Sequence, residues 1–344
     1  MASKLDDMGA DWAWVSYLGS VKACLDYLGV DISRPWLYGG SGWAFVMCMG
    51  PDADPAGPVA WDAVCVNPCS PANPGMVARL APDLGYQIEA VCGCPFGACR
   101  DLEDAKQRAF ALVRRSIDQG IPCMVYDLDY PEFFVVTGYD EVGYHYLAPG
   151  PDGGPATPAG PKPWQEIAAC VGWVRAQAVR RHAPAADEVV VRQALGAVVE
   201  RMTRPPDGSI FATGLAGYDL WAQALEEGKA QDFGHRCCAA SYAELRREGV
   251  AFLREARTRL PGRADGLFDE ASGWYGLASE RLEQLCDLHP FRNEGNERIR
   301  SGEAAQLLRE AKAAEAEGLP VLGRIAETLS FRSRAAEGAG RPPV

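Results

Sequence analysis

Apolar positions in this chain keep a helical period at both ends and a strand period in between. From Trp12 to Leu28 they recur as Val15, Leu18, Val21, Leu25 and Leu28, and Gly29 follows as a stop signal. Between Asp101 and Gln119, Leu102, Ala105, Ala109, Leu112, Val113 and Ile117 share one helical face, closed by Gly120. The pattern then shortens. Ile121–Tyr126, Phe133–Gly138 and Tyr144–Leu147 are compact runs of β-branched and aromatic residues, which predict strands. One helix followed by three strands predicts a mixed α+β layer rather than a doubly wound sheet.

The second half returns to the helical period. Val191, Leu195, Val198 and Met202 form one stripe, and Tyr218, Trp221, Ala222 and Leu225 the next. Tyr242 to Leu260, Leu267 to Leu285 and Ala304 to Glu315 continue it, with Pro261-Gly262 and His289-Pro290 as breaks. That is the pattern of a helical bundle with a solvated Arg/Glu face. Residues 50–75, rich in Pro, Gly, Asp and Asn, predict irregular loop. The stretch Pro149–Pro163 excludes both helix and central strand, and so reads as a surface loop or a linker. The expected organisation is an α+β domain over 1–180, an all-α helical domain over 187–335 and a disordered tail over 336–344.

With 344 residues the chain is long enough for two cores. Its net charge of −12 repels a nucleic-acid backbone. The first residues show no basic stretch followed by an apolar one, and no run of about 18 apolar residues occurs, so a cytoplasmic protein without membrane or nucleic-acid partners is expected. Twelve cysteines in that setting are expected as reduced thiols or metal ligands.

Three segments carry a resemblance. The first helix ends in Leu-Asp-Tyr-Leu-Gly, then comes Leu-Tyr-Gly-Gly-Ser-Gly-Trp-Ala-Phe, and much later Phe-Phe-Val-Val-Thr-Gly-Tyr-Asp-Glu-Val-Gly-Tyr-His-Tyr-Leu. Together they resemble the papain-like domain of bacteriocin-processing peptidases and of the butirosin-biosynthesis acyltransferase, and the second half is similar to the helical region that accompanies such domains. The resemblance implies a papain-like fold of helix and antiparallel sheet. It also implies a thiolate at the start of the first helix, activated by the helix terminus and a histidine.

Matched position by position, the nucleophile falls on Ser16, the histidine on Glu132 and the orienting aspartate near Pro149. The resemblance thus implies a fold whose acyl-transfer machinery is replaced, and a serine beside a carboxylate is a poor nucleophile and base. The expected function is an atypical or degenerate papain-like protein that binds a small peptide, amine or acyl-linked ligand in a cleft between the domains. Tyr38, Gly40, Trp43, Asp127 and Tyr139 are candidate ligand-binding residues, the first three at the glycine-rich turn and Asp127 as a partner for a cationic group. One alternative is an active thiol amidase or acyltransferase whose nucleophile (Cys24, Cys48 or Cys65) pairs with His145. A second is a metalloprotein built on Cys65, Cys69, Cys92, Cys94 and Cys99, closely spaced thiols that lack the usual Cys-x-x-Cys interval. Apart from that cluster no cofactor is expected.

Overall fold

A computed structural model describes residues 3–11, 13–50, 75–93, 101–148, 155–170, 172–204, 212–291 and 300–338, the last eight as backbone only. In chain order the elements are β1 (Ser3–Lys4), α1 (Ser16–Tyr27), α2 (Arg34–Gly40), β2 (Cys48–Met49), α3 (Met76–Leu80), β3 (Tyr86–Gly93) and α4 (Leu102–Ile117). Then come β4 (Cys123–Tyr126), β5 (Phe133–Tyr139), β6 (Gly143–Ala148), β7 (Thr157–Pro163) and β8 (Val174–Arg181). The remainder is α5 (Asp187–Thr203), β9 (Ala212–Thr213), α6 (Leu215–Glu226), α7 (Asp232–Arg259), α8 (Asp265–Leu288) and α9 (Ser301–Gly338). The protein is α+β, with an antiparallel sheet and a helical C-terminal region.

Contacts divide the chain into two units, Met1–Ser33 with Ala60–Pro184, and Arg34–Val59 with Ala185–Val344. The first is a sheet in the order β3-β8-β4-β5-β6-β7, with β1 added to β5 and every ladder antiparallel. α4 covers one face. Asp101 caps it by accepting the Asp104 N–H at 2.9 Å, Glu103 and Asp104 sit in its first turn, and Arg114 and Arg115 in its last, each charge matching the helix dipole. Its apolar stripe packs on Val125, Phe134, Val136, Ala176 and Ala178. α1 packs against β4, β5 and β8. It meets the alternate residues, Tyr17 edge-on to Phe133 at 5.0 Å and Ala23 with Val135 and Leu147, and so covers the other face. Coverage on both sides explains why all seven residues of β5 are buried and why its sequence is a continuous apolar run.

Six of the described strands, β1, β2, β3, β7, β8 and β9, were not foreseen. β7 lies inside the Pro/Gly-rich stretch expected as loop or linker. It is an edge strand, the position where prolines leave few ladder hydrogen bonds unmade. β8 sits between β3 and β4, in the interior of the sheet.

In the helical unit the segment from Arg34 to Gly50 packs with α7 rather than with the front half of the sequence. The glycine-rich stretch read as a turn forms α2 through Gly40, and a left-handed Gly42 (φ 75°) follows. Gly39 has to be glycine, since a Cβ there would lie 2.0 Å from Cγ of Phe252 on α7. Arg246 on α7, fully buried, donates to the carbonyls of Ala44 (2.9 Å) and Val46 (3.2 Å) and pairs with Glu315 on α9. The Tyr242 hydroxyl accepts the Cys48 N–H at 3.0 Å and donates to the Cys48 carbonyl. These buried polar bonds tie the segment to the helices. α9 continues to Gly338, so the stretch expected as a tail is helical over 336–338, and residues 339–344 lie outside the described residues.

Candidate functional site

Ser16 is the first residue of α1. Its neighbour Val15 offers no side-chain cap, and the Ser16 hydroxyl turns to the sheet. Oγ donates to the carboxylate of Glu132, which ends the β4–β5 connection, and accepts the N–H of Phe133 at 3.1 Å. One turn on, Ser20 Oγ donates to the carbonyl of Phe133 at 3.2 Å. Two hydroxyls on one face of α1 thus clasp the N–H and the carbonyl of one residue, Phe133, at the start of β5. Ser16 and Glu132, the positions matched to the family's nucleophile and base, are direct neighbours. The third position, at Pro149, lies outside the described residues.

Burial pushes the Glu132 carboxyl from an ordinary 4.5 up to about 7, and the hydrogen bond from Ser16 opposes that rise. Perturbed groups of this kind concentrate at functional sites. Beside them is a pocket of about 40 Å³, lined by Ser16, Ser20, Glu132, Asp11 and Tyr130 among others. That volume admits a few water-sized groups. It falls well short of the ~300–1,000 Å³ that encloses a whole drug-sized ligand, so only the tip of a ligand fits. A carboxylate held near 7 is a better base than most, yet far too weak to hold the proton of an alcohol. Its natural work here is to accept hydrogen bonds or to pair with a cation.

The connection is shaped by Asp127, which adopts the left-handed conformation (φ 57°) that Asp tolerates better than most residues. Its N–H donates to the Glu132 carbonyl at 2.9 Å, its carbonyl accepts the Ala168 N–H at 3.0 Å, and its Oδ2 accepts the Cys170 N–H at 3.0 Å. Offered by the sequence as a ligand group, Asp127 is a buried organiser of the turn. Asp129 accepts the Tyr146 hydroxyl. Tyr139 packs in the α4-side core and donates to Asp118 at 2.7 Å.

Tyr38, Gly40 and Trp43 are buried in the helical unit. Tyr38 donates to Glu244 at 3.1 Å, and Arg34 binds the same carboxylate at 2.9 Å. Their burial accounts for them as core.

His145 pairs with Asp140 at 2.8 Å. Asp140 also accepts the N–H groups of Gly143 and Val142, which with His145 hold its carboxyl below the usual range. Cys24 is fully buried in α1, and burial raises its thiol well above the ordinary value, the opposite of an activated nucleophile. Burial pushes the Cys123 thiol up to about 12. Cys170 is exposed, but its contact with Asp127 raises it as well. Cys48 is buried in the helical unit. Of the proposed metal cluster only Cys92, part-buried on β3, is described; Cys65, Cys69, Cys94 and Cys99 lie outside the described residues. Among the described residues no group of three or more His, Cys, Asp or Glu side chains is arranged to hold a metal ion, and no helix is long and apolar enough to cross a membrane.

Sequence reasoning missed Ser20. Ser20 carries a faint signal, a second hydroxyl four residues after Ser16 on a helix. Compared with known proteins, the chain matches no family model and no curated sequence.

Proposed function

We propose that the sheet unit is a catalytically degenerate papain-like module that binds a small peptide, amine or acyl-linked ligand at the N-terminal end of α1, with Glu132 taking an amino group. The observation that carries this is the hydrogen bond between Ser16 and Glu132. Where the family it resembles has a thiol and an imidazole, this chain has an alcohol and a carboxylate in the same mutual contact. The layout of an antiparallel sheet with a helix terminus against it supports the papain-like reading. The raised thiols of Cys24, Cys123 and Cys170 speak against displaced cysteine chemistry in this unit. A carboxylate that titrates near 7 beside a pocket of about 40 Å³ suits an ammonium group.

Methylammonium is the probe that fits, measured by calorimetry at pH 7 in buffers of different ionisation enthalpy. Pairing with a cation pulls Glu132 to its ionised form, so binding releases roughly half a proton at a pH equal to its pKa. Glu132→Gln is expected to abolish both binding and proton release. Equal binding by the variant overturns the role of Glu132. Iodoacetamide at neutral pH addresses the chemistry. Uniformly slow labelling of the twelve cysteines is expected, and one cysteine reacting far faster than the rest overturns the degenerate reading.

A further inference from the structure

Three arginines are buried among the described residues: Arg175, Arg236 and Arg246. Two of them are well served. Arg246 has Glu315 and the carbonyls of Ala44 and Val46. Arg236 has Asp232 at 2.9 Å and the Pro290 carbonyl at 3.0 Å. The side chain of Arg175, a residue 6% exposed, makes no hydrogen bond or ion pair among the described residues. An isolated buried charge is costly, and native structures keep one where something pairs with it.

Its surroundings have the same deficit. Val174, Ala176 and Ala178 on β8 point into the α4-side core, so alternation turns Arg175 and Gln177 to the face that α1 covers. On that face the Gln177 Oε1 and the hydroxyl of Tyr17, the second residue of α1, are buried without a hydrogen-bond partner. Buried polar atoms are partnered in the great majority of cases; the Tyr17 hydroxyl can donate to an oxyanion, whereas the Gln177 Oε1 only accepts and is no partner for one. Arg175 is close enough to Tyr17 and Tyr126 for its charge to pull both phenols down against the larger effect of burial. Glu132 acts on the same Tyr126 phenol from its own side.

We propose that Arg175 is an anion-binding group on the α1 face of the sheet, taking a carboxylate or phosphate oxyanion of a small ligand, with the Tyr17 hydroxyl as a second donor. The guanidinium fork matches either oxyanion in a bidentate manner. This rests on the reading of the same face as a ligand site. It gives that ligand a negative group in addition to the amine held by Glu132, the two set apart as in a short peptide or a phosphorylated amine.

The test titrates sodium phosphate and sodium acetate into the full chain at matched ionic strength, with chloride as control, and follows the thermal midpoint and calorimetric affinity. Wild-type protein is expected to bind at least one of the two anions. A response to phosphate alone assigns a phosphate ligand, and a response to acetate alone a carboxylate. Arg175→Gln is expected to weaken that binding at least tenfold and Tyr17→Phe several-fold, while Glu132→Gln loses methylammonium and keeps the anion. Binding of neither anion by folded wild-type protein overturns the proposal, as does equal affinity in Arg175→Gln. Should that variant not fold, Arg175→Lys carries the test: a tenfold loss supports the fork, and unchanged affinity overturns it. Failure of the wild-type protein to bind methylammonium while it still binds the anion overturns the Glu132 reading alone, so the two stand or fall by different probes.

Discussion

Ser16 and Glu132 lie 116 residues apart in sequence and share a hydrogen bond at the start of α1. The same hydroxyl accepts the Phe133 N–H, so it joins the helix to the sheet twice over. Ser16→Ala leaves a carboxylate and an amide without that partner. A part-buried pair of this kind is worth about 1–3 kcal/mol, to be read as a lower urea midpoint at unchanged slope. Because Ser20 grips the carbonyl of the same residue, Phe133, the loss in Ser16→Ala/Ser20→Ala is expected to differ from the sum of the single losses.

Glu132 gives the sheet unit a distinctive pH response. Its carboxyl titrates near 7 in the fold against an ordinary 4.5, so the folded state binds more protons between those values. Stability from this group is therefore full below about 4.5 and is lost as pH rises to about 7, by on the order of 1–3 kcal/mol. Glu132→Gln keeps an acceptor for Ser16 and removes the titration. The variant is expected to melt higher than wild type at pH 8 and level with it at pH 4.5. A constant difference across that range would assign the effect to something other than this proton.

The helical unit responds in the opposite sense. Trp221 Nε1–H donates to His235 Nδ1 at 3.1 Å, and His235 Nε2 lies 2.8 Å from His289 Nδ1. Burial, then His289 and Arg236, depress His235 from 6.5 to about 3. A depressed folded value means that stability is present above 6.5 and is lost as pH falls toward 3. His235→Gln, which keeps an acceptor for Trp221, is expected to lose less midpoint between pH 7 and pH 5 than wild type does.

Arg246 and Glu315 are both fully buried and paired. The Tyr218 hydroxyl also donates to Glu315 at 2.6 Å. Glu315→Leu strands the guanidinium in the core and is expected to cost about 3–5 kcal/mol, visible as a large drop in the thermal midpoint.

On the proposed reading, the Ser16–Glu132 pair is open to repair. Ser16→Cys alone places a thiol beside a carboxylate, which disfavours the thiolate, and slow alkylation is expected. Ser16→Cys/Glu132→His places a thiol beside an imidazole at a helix N-terminus, and iodoacetamide is expected to label residue 16 at least tenfold faster than in the single variant. Equal rates would show that the two positions do not share the geometry of a nucleophile and its base.

Much of the architecture is written in local pattern. The helical stripes of α4 and of α5 to α8, and the runs that became β4, β5 and β6, follow from side-chain period alone, because an element that buries one face has to repeat at its own pitch. The pairing of Ser16 with Glu132 was reachable only through the resemblance, since no local pattern links residues 116 apart. Three features were decided by tertiary structure. β7 holds its prolines because it lies at an edge, and edge or interior is a property of the assembled sheet. Arg34–Gly50 belongs with α7 because Gly39 meets Phe252 and Arg246 reaches the Ala44 and Val46 carbonyls, contacts between residues some 200 positions apart. Arg175 reads as an ordinary solvent-facing residue until α1 is laid over its side of the sheet. Burial depends on what covers a face as well as on the residue that occupies it, and for Arg175 only the packed fold supplies the cover.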